Sequence, residues 1–507
     1  MTTPRPAPCL MVQGTASGAG KSTLVAALCR IFRRRGWRVA PFKAQNMALN
    51  AAVTSDGGEI GRAQAAQAEA AGVEPTVDMN PILLKPEAED RSQLVVRGIA
   101  VASVDFDEYA RMTPLLLPVV AESLARLRAG HDLVVIEGAG SPAEINLNAH
   151  EIVNMRIARL AAAPVLLVGD VDRGGVFAAL VGTLALLEPD DRARVRGLVV
   201  NKFRGDRRLL EPGLDELARR TGVPVLGVVP WIPERLVPEE DSLVLEAPAP
   251  RRDPAALDIA VMKLPRIANF DDLEPLAAEP GVGVRFVRAR QDLGAPDLIV
   301  VPGSKSTVAD LGWLRAIGLA EALQALAARG TPVLGLCGGY QMLGATIEDP
   351  AGIESSTPVA SGLGLLPVVT RFACAKTTRR VRARVLPEAG LLAGAAGAEV
   401  TGYEIHAGDT DTGGARRPFA VLERGGRPAA GHDGAVSDDG LVLGSYLHGV
   451  FANPALRRAL LVALAAHRGL AADPRWGTGP AIDPYDRLAD IVEAALDVGA
   501  IEKLVQP

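Results

Sequence analysis

The sequence predicts an α/β protein built from two successive parallel sheets flanked by helices, and three observations predict it. Short apolar runs alternate with amphipathic helical stretches along most of the chain. The first of these runs enters a glycine-rich turn that opens a helix. Midway, the stretch Glu246 to Pro254 is rich in proline and charge, reads as a linker, and precedes a second alternating series.

At 507 residues the chain is too long for one hydrophobic core. Its 48% hydrophobic and 22% charged residues are those of a globular protein. A net charge of −5 offers no basic field for nucleic acid, and the run Arg33-Arg34-Arg35 reads as a solvated helix end before Gly36. Cys9, Cys29, Cys337 and Cys374 lie far apart, with neither metal-ligand spacing nor a disulfide framework, which fits a reducing cytoplasm. Met1 to Pro8 is polar and proline-rich, unlike a signal peptide. The longest apolar runs, such as Leu115 to Val120, fall far short of the ~20 residues that a membrane span needs.

In chain order, Leu10 to Gln13 reads as a strand, Ser22 to Arg35 as the helix after it, and Trp37 to Pro41 as a second strand. Leu133 to Ile136, Val165 to Val168 and Leu198 to Val200 are further strands, ending at Glu137, Asp170 and Asn201. In the second series Asp258 to Met262, Leu298 to Val301, Val333 to Leu336 and Leu441 to Leu443 are strands, and Pro454 to Pro507 reads as helical. The expected organisation is a phosphate-binding domain over 1–245, a linker over 246–256, a second α/β domain over 257–455 and a helical tail over 456–507. Ligands of such sheets sit at the carboxyl ends of the strands, where the polar residues cluster here.

The first junction runs Gly14-Thr15-Ala16-Ser17-Gly18-Ala19-Gly20-Lys21-Ser22-Thr23. Gly14, Gly18 and Gly20 let the backbone wrap with Thr15 and the following N–H groups pointing inward, Lys21 reaches terminal phosphates, and the Ser22 hydroxyl, followed by Thr23, can ligate Mg²⁺. The common nucleotide loop wants a glycine where Thr15 stands; this variant resembles the dethiobiotin synthetase group of ATP-using ligases. Mg²⁺ also needs carboxylates. Glu137, at a strand end before Gly138-Ala139-Gly140, is the leading candidate, with Asp56 and Glu59 behind it. Asn201 and Lys202 could read the adenine ring or form a plain polar loop.

In the second half, Val333-Leu334-Gly335-Leu336-Cys337-Gly338-Gly339-Tyr340-Gln341 carries an apolar strand into a cysteine, two glycines and a helix. That is the outline of a nucleophile elbow, whose tight turn projects the side chain above the sheet while the helix start favours the thiolate. A thiolate needs a base, and His448 and His406, both near strand ends, are nearly equal on spacing alone. The oxyanion needs backbone donors, for which Val300-Val301-Pro302-Gly303-Ser304-Lys305-Ser306-Thr307, together with Gly338, is the candidate, the alternative being a second phosphate loop that lacks the Gly-Lys-Ser order.

Taken together these motifs resemble the cobyric acid synthase family, glutamine-dependent amide synthases of cobalamin biosynthesis. The resemblance spans nearly the whole chain, through Pro41 to Asn50, Glu59 to Gln64, Met79 to Pro86, Glu137 to Asn146, Asp172 to Phe177, Asn201 to Asp206, the Pro302 loop, the Cys337 elbow, Gly402 to His406 and the His448 segment. It implies an N-terminal P-loop-type parallel-sheet domain, dethiobiotin-synthetase-like, and a C-terminal class I glutamine amidotransferase-like α/β domain. It further implies Cys337 as glutaminase nucleophile and His448 as its base, ATP and Mg²⁺ with no permanently bound cofactor, and a corrinoid polycarboxylate as acceptor. Most related glutaminase domains place a glutamate two residues after that histidine, where Val450 stands here, so what orients His448 is left open. The implied reaction amidates the b, d, e and g carboxylates of adenosylcobyrinic acid a,c-diamide, each through an acyl phosphate. An anionic acceptor calls for cations, with Arg62, Lys85, Arg91 and Arg173 as candidates. The rival readings are a sibling synthase acting on another carboxylate and a partner-binding ATPase with a decayed glutaminase domain.

Overall fold

A computed structural model of the protein describes residues 6–147, 151–233, 236–238, 257–479 and 482–506. The expected linker over 246–256 lies outside the described residues. The chain divides into two compact units, one of Met1–Ala48, Ile60–Glu239 and Pro480–Pro507, the other of Leu49–Glu59 and Glu240–Gly479. No helix among the described residues is long and apolar enough to cross a membrane.

The first unit is built on a parallel sheet in the order Val225–Pro230, Val195–Phe203, Val165–Asp170, Cys9–Gly14, Leu133–Glu137, Val39–Phe42. The continuous apolar runs become these strands because both faces of the sheet are covered. Cys9–Gly14 lies between strands that follow it much later in the chain, and its register sets Val12 opposite Glu137. This is where the connections diverge to opposite sides, so the carboxyl ends of the two strands open a crevice. The helix Lys21–Arg34 buries Leu24, Val25, Leu28, Ile31 and Phe32. A four-stranded sheet of Gln45–Met47, Ile82–Pro86, Ser92–Val96 and Ile99–Val104 follows. The helix Phe106–Gly130 is then started by Asp105, whose side chain accepts from the Glu108 amide while Glu108 bonds back in a capping box.

In the second unit the main sheet runs Val282–Val287, Leu257–Met262, Leu298–Val301, Val333–Leu336, Val442–Ser445 and Ala435–Val436, parallel except for the last. A second sheet is centred on the long antiparallel pair Val369–Val385 and Glu399–Asp411.

The span 456–507, read from the sequence as one tail, is shared between the units. Pro454–Arg468 packs Leu456, Leu460, Leu461 and Leu464 into a core with Phe419 and Phe451. Pro484–Ala495 and Val498–Val505 pack Leu488, Val492 and Ile501 against Leu28 and Phe32 of the first unit. Each helix carries an apolar stripe that must be covered, and the two stripes find different cores.

Candidate active site

The glycine-rich turn of the first unit closes around its lysine. Gly18 and Gly20 adopt φ of +72° and +92°, a region that a side chain enters only with strain. A Cβ on Gly14 would stand 3.1 Å from Lys21 Nζ. The Thr15 amide bonds Val168 O, and Lys21 Nζ donates to Ala16 O at 3.0 Å and to Gly140 O at 3.1 Å. The ammonium therefore lies at the mouth of the turn, level with the glycines after Glu137. Ser22 and Thr23 follow in the first helical turn, where backbone N–H groups have no helical partner.

Ser22 and Glu137 are brought together, with Ser22 Oγ donating to Glu137 Oε1 at 2.9 Å. Lys43, which the sequence reading did not single out, donates to the same oxygen at 2.9 Å, and Gln67 bonds the other oxygen. Burial works against a charge on Glu137, but the Lys43 ammonium and the bonds from Gln67 and Ser22 outweigh it and hold the carboxyl below its usual range. A hydroxyl beside an ionised carboxylate is the oxygen donor pair that suits Mg²⁺, with phosphate oxygens and water as further ligands.

Asp56 belongs to the Leu49–Glu59 segment of the second unit and accepts from Thr54 Oγ1. Glu59, in the same segment, is paired with Lys376. Asn201, weighed as a reader of adenine, donates its amide to Ala19 O at 2.9 Å, so it clamps the turn from the neighbouring strand. Lys202 Nζ bonds Gly18 O at 2.6 Å and Asp170 at 2.9 Å. Of the candidate cations, Arg62 pairs with Glu69, Arg91 with Glu108, and Arg173 lies 3.8 Å from Asp170, whereas Lys85 is buried.

In the second unit, Cys337 has φ of +50°, rare for a residue with a side chain. Its amide still bonds Ser445 O of the neighbouring strand, and the helix Gly338–Leu343 starts at once. The glycines are required by close approach: a Cβ on Gly339 would lie 1.9 Å from Val301 O, and one on Gly338 would lie 3.0 Å from Ser304 N. Gly303 and Ser304 form a short strand paired with Ile267 and Ala268, and a Cβ on Gly303 would come within 3.4 Å of the His448 ring. Gly303, Ser304 and Gly338 thus converge beside Cys337 and His448. The Ser304 hydroxyl is committed to Asp310 at 2.6 Å, which leaves the backbone as this turn's donor surface.

The two histidines differ in their partners. His448 Nδ1 meets Asp272 Oδ2 at 2.6 Å, and the Gly449 amide donates to the other Asp272 oxygen at 2.6 Å. Both side chains are almost fully buried. Burial disfavours the imidazolium, but the Asp272 charge, its hydrogen bond and a hydrogen bond with Cys337 overcome this and raise the His448 pKa well above its usual value. The ring of Tyr403 stacks on that of His448 with centroids 5.3 Å apart. His406 bonds Gly408 O and stacks on Tyr446, and burial keeps its pKa below the usual value. Cys337 Sγ lies 3.3 Å from Ile405 O. The sequence reading missed Asp272, 176 positions from His448. The signal available was the acidic pair in Asn269-Phe270-Asp271-Asp272, soon after the carboxyl end of the Leu257–Met262 strand.

Two family profiles match the chain: a CobQ/CobB/MinD/ParA nucleotide-binding domain over residues 10–243 and a CobB/CobQ-like glutamine amidotransferase domain over 258–456. A cobyric acid synthase of Sorangium cellulosum is 58% identical over 98% of each chain. That of Dehalococcoides mccartyi is 52% identical over 97% of each, and that of Klebsiella pneumoniae 49% over 98% of each. This chain belongs to the cobyric acid synthase family. As a member of the cobyric acid synthase family it is a glutamine-dependent amide-forming ligase. The phosphate turn with Glu137 falls in the nucleotide-binding match, and Asp272, Cys337 and His448 fall in the amidotransferase match.

Proposed function

We propose that the protein amidates the b, d, e and g carboxylates of adenosylcobyrinic acid a,c-diamide to give adenosylcobyric acid, using ATP, Mg²⁺ and glutamine. Full-length similarity to cobyric acid synthases supports the acceptor, and the nucleotide-binding match supports ATP. The observation that carries the glutaminase half is Cys337 on a strained corner beside His448, with Asp272 holding the far side of that ring.

A carboxylate is a poor electrophile, so it first takes the γ-phosphoryl group of ATP to become an acyl phosphate. Lys21 and the N–H groups of the Gly14–Thr23 turn bind the phosphates, and Ser22 and Glu137 hold Mg²⁺, whose charge offsets theirs. Lys43 keeps Glu137 ionised. In the second unit the Cys337 sulfur attacks the side-chain amide carbon of glutamine while His448 holds the thiol proton. The Ser304 and Gly338 amides receive the oxyanion. His448 gives the proton to the departing nitrogen, ammonia leaves, and water deprotonated by His448 hydrolyses the thioester to glutamate. Ammonia then displaces phosphate from the acyl phosphate and forms the amide.

The test is mass spectrometry of cobyrinic acid a,c-diamide incubated with protein, ATP, Mg²⁺ and glutamine. Wild type should add four amides. Cys337→Ala should add none with glutamine and all four with ammonia. No gain from either donor overturns the corrinoid acceptor.

A further inference from the structure

Asp310 is a buried carboxylate that the proposed chemistry does not use. It stands in the first turn of the helix Thr307–Ala316 and is 2% exposed. Acids are common in first turns because a helix start carries a partial positive charge. Here, however, another acid meets the helix start: the Val308 amide donates to Glu354 Oε1 and the Thr307 hydroxyl to Glu354 Oε2, each at 3.2 Å. Asp310 turns instead toward the loop before the helix. Its Oδ2 accepts from Ser304 Oγ at 2.6 Å and from the Arg266 amide at 3.1 Å. Burial pushes its pKa up to about 6 against the pull of those two donors. A carboxylate is costly to bury unless its oxygens are well used, and one oxygen here serves two separate segments.

Those segments are the two sides of the short antiparallel pair, Ile267–Ala268 with Gly303–Ser304. The Lys305 amide donates to Arg266 O at 2.9 Å, which carries the pairing one step further, and Asp310 Oδ2 closes that end. Ser304 Oγ also accepts from the Ser306 amide at 3.0 Å, and Ser306 O accepts from the Asp310 amide at 2.9 Å. The loop from Ser304 to the helix is thus drawn into a closed circuit with the carboxylate at its centre.

Each side of the pair leads to a part of the glutaminase site. The Ser304 nitrogen lies 3.0 Å from where a Cβ on Gly338 would stand, so the register of the pair sets how the two proposed oxyanion donors face one another. On the other side, Ala268 precedes Asp272 by four residues, and Asp272 meets His448 Nδ1 at 2.6 Å. A Cβ on Gly303 would come within 2.9 Å of Ala268 O and 3.4 Å of the His448 ring, which shows how closely the pair is packed against the base. Without the Asp310 carboxylate, a hydroxyl and an amide that are both partly buried lose their common acceptor. They find new partners only by shifting the loop, and that shift carries the Ser304 amide with it.

We propose that Asp310 is a positioning residue for glutamine hydrolysis, which through Ser304 and Arg266 aims the Ser304 amide at the oxyanion. This rests on the reading of Cys337 and His448 as the glutaminase pair with the Ser304 and Gly338 amides as oxyanion donors. Asp310 acts through the turn, and its loss weakens the transition state more than the binding of glutamine.

The experiment uses the full chain as wild type, Asp310→Asn and Ser304→Ala, with three readouts. The first is kcat and KM for glutamate release from glutamine. The second is inhibition by the γ-aldehyde analogue of glutamine. The Cys337 sulfur adds to its carbonyl carbon, the π pair moves onto oxygen and the thiol proton passes to His448, so the adduct carries an oxygen where the oxyanion forms. The third is alkylation of Cys337 by iodoacetamide, read on the Cys337 peptide by mass spectrometry. There the sulfur displaces iodide and no oxyanion forms. Asp310→Asn should lower kcat by about 10-fold or more and weaken the aldehyde by a similar factor. KM for glutamine, the alkylation rate and ammonia-driven amidation should stay close to wild type. Ser304→Ala keeps the amide and loses the hydroxyl, and should show the same pattern. Wild-type kcat and aldehyde affinity in Asp310→Asn overturn the proposal. So does a fall in kcat that aldehyde affinity does not follow, or one accompanied by loss of alkylation, which marks a general packing role. If Asp310→Asn does not fold, Ser304→Ala decides by the same criteria. A wild type that neither releases glutamate nor binds the aldehyde overturns the glutaminase reading, and the inference with it.

Discussion

At the scale of single residues, the proposed glutaminase chemistry draws on a carboxylate that the linear pattern hides. Cys337 stands out in the sequence because its neighbours are glycines, and glycines report backbone geometry directly. Asp272 is one acid among several in a short turn, and the only local mark on it is that the turn follows a strand end. Its importance arises only from the fold, which brings the turn after one strand against the end of another. On the proposed function, Asp272→Asn should lower glutaminase kcat by about 10²-fold or more while leaving the ammonia-driven reaction intact. The sign of the pH effect follows from the raised His448 pKa. Asp272 helps His448 keep its proton to higher pH, so its loss should move the alkaline limb of glutaminase kcat/KM to lower pH; an unmoved limb would count against the pairing. Gly339→Ala places a Cβ 1.9 Å from a main-chain oxygen that cannot swing away, and should abolish glutamine hydrolysis and lower the thermal midpoint.

At the scale of elements, most of the parallel strands were legible because they are built on short apolar runs, and Leu298–Val301 and Val333–Leu336 match the reading residue for residue, whereas Val225–Pro230 was not read. The long antiparallel pair was not. Val369–Val385 alternates only near its ends, because the polar run Lys376 to Arg380 interrupts it close to where the register shifts, so no sustained strand periodicity emerges. The strand Val282–Val287 was lost among glycine and arginine. For the tail, the apolar stripes of Pro484–Ala495 and Val498–Val505 announced that something covers them but not what does. The covering surface is the helix of the phosphate turn, and Arg30 on that helix bonds both Asp483 and Asp486. Leu488→Ala, at a fully buried position, should therefore cost about 2–5 kcal/mol by denaturant unfolding and weaken ATP binding, although Leu488 is far along the chain from any nucleotide motif.

At the scale of the whole molecule, the proposed division of labour makes the two chemistries separable by mutation. Lys21→Ala and Glu137→Gln should each abolish amidation with either nitrogen donor, because no acyl phosphate forms. Cys337→Ala should abolish it with glutamine alone. Product analysis with both donors separates the two classes, and loss of only the glutamine reaction in Glu137→Gln would contradict its assigned role.

The return of the C-terminal helices to the first unit also has a consequence for how the protein is made. A ribosome releases the amino end first, and domains ordinarily fold as they emerge. Here the nucleotide unit begins with the first strand but lacks its covering helices, Pro484–Ala495 and Val498–Val505, until the whole second unit has been synthesised. The amidotransferase unit, closed by Gly479, is complete in sequence sooner. The nucleotide-binding unit is therefore completed after the amidotransferase unit, and a nascent chain halted before Pro484 carries all of the amidotransferase sequence but a phosphate-turn helix whose apolar face is still bare.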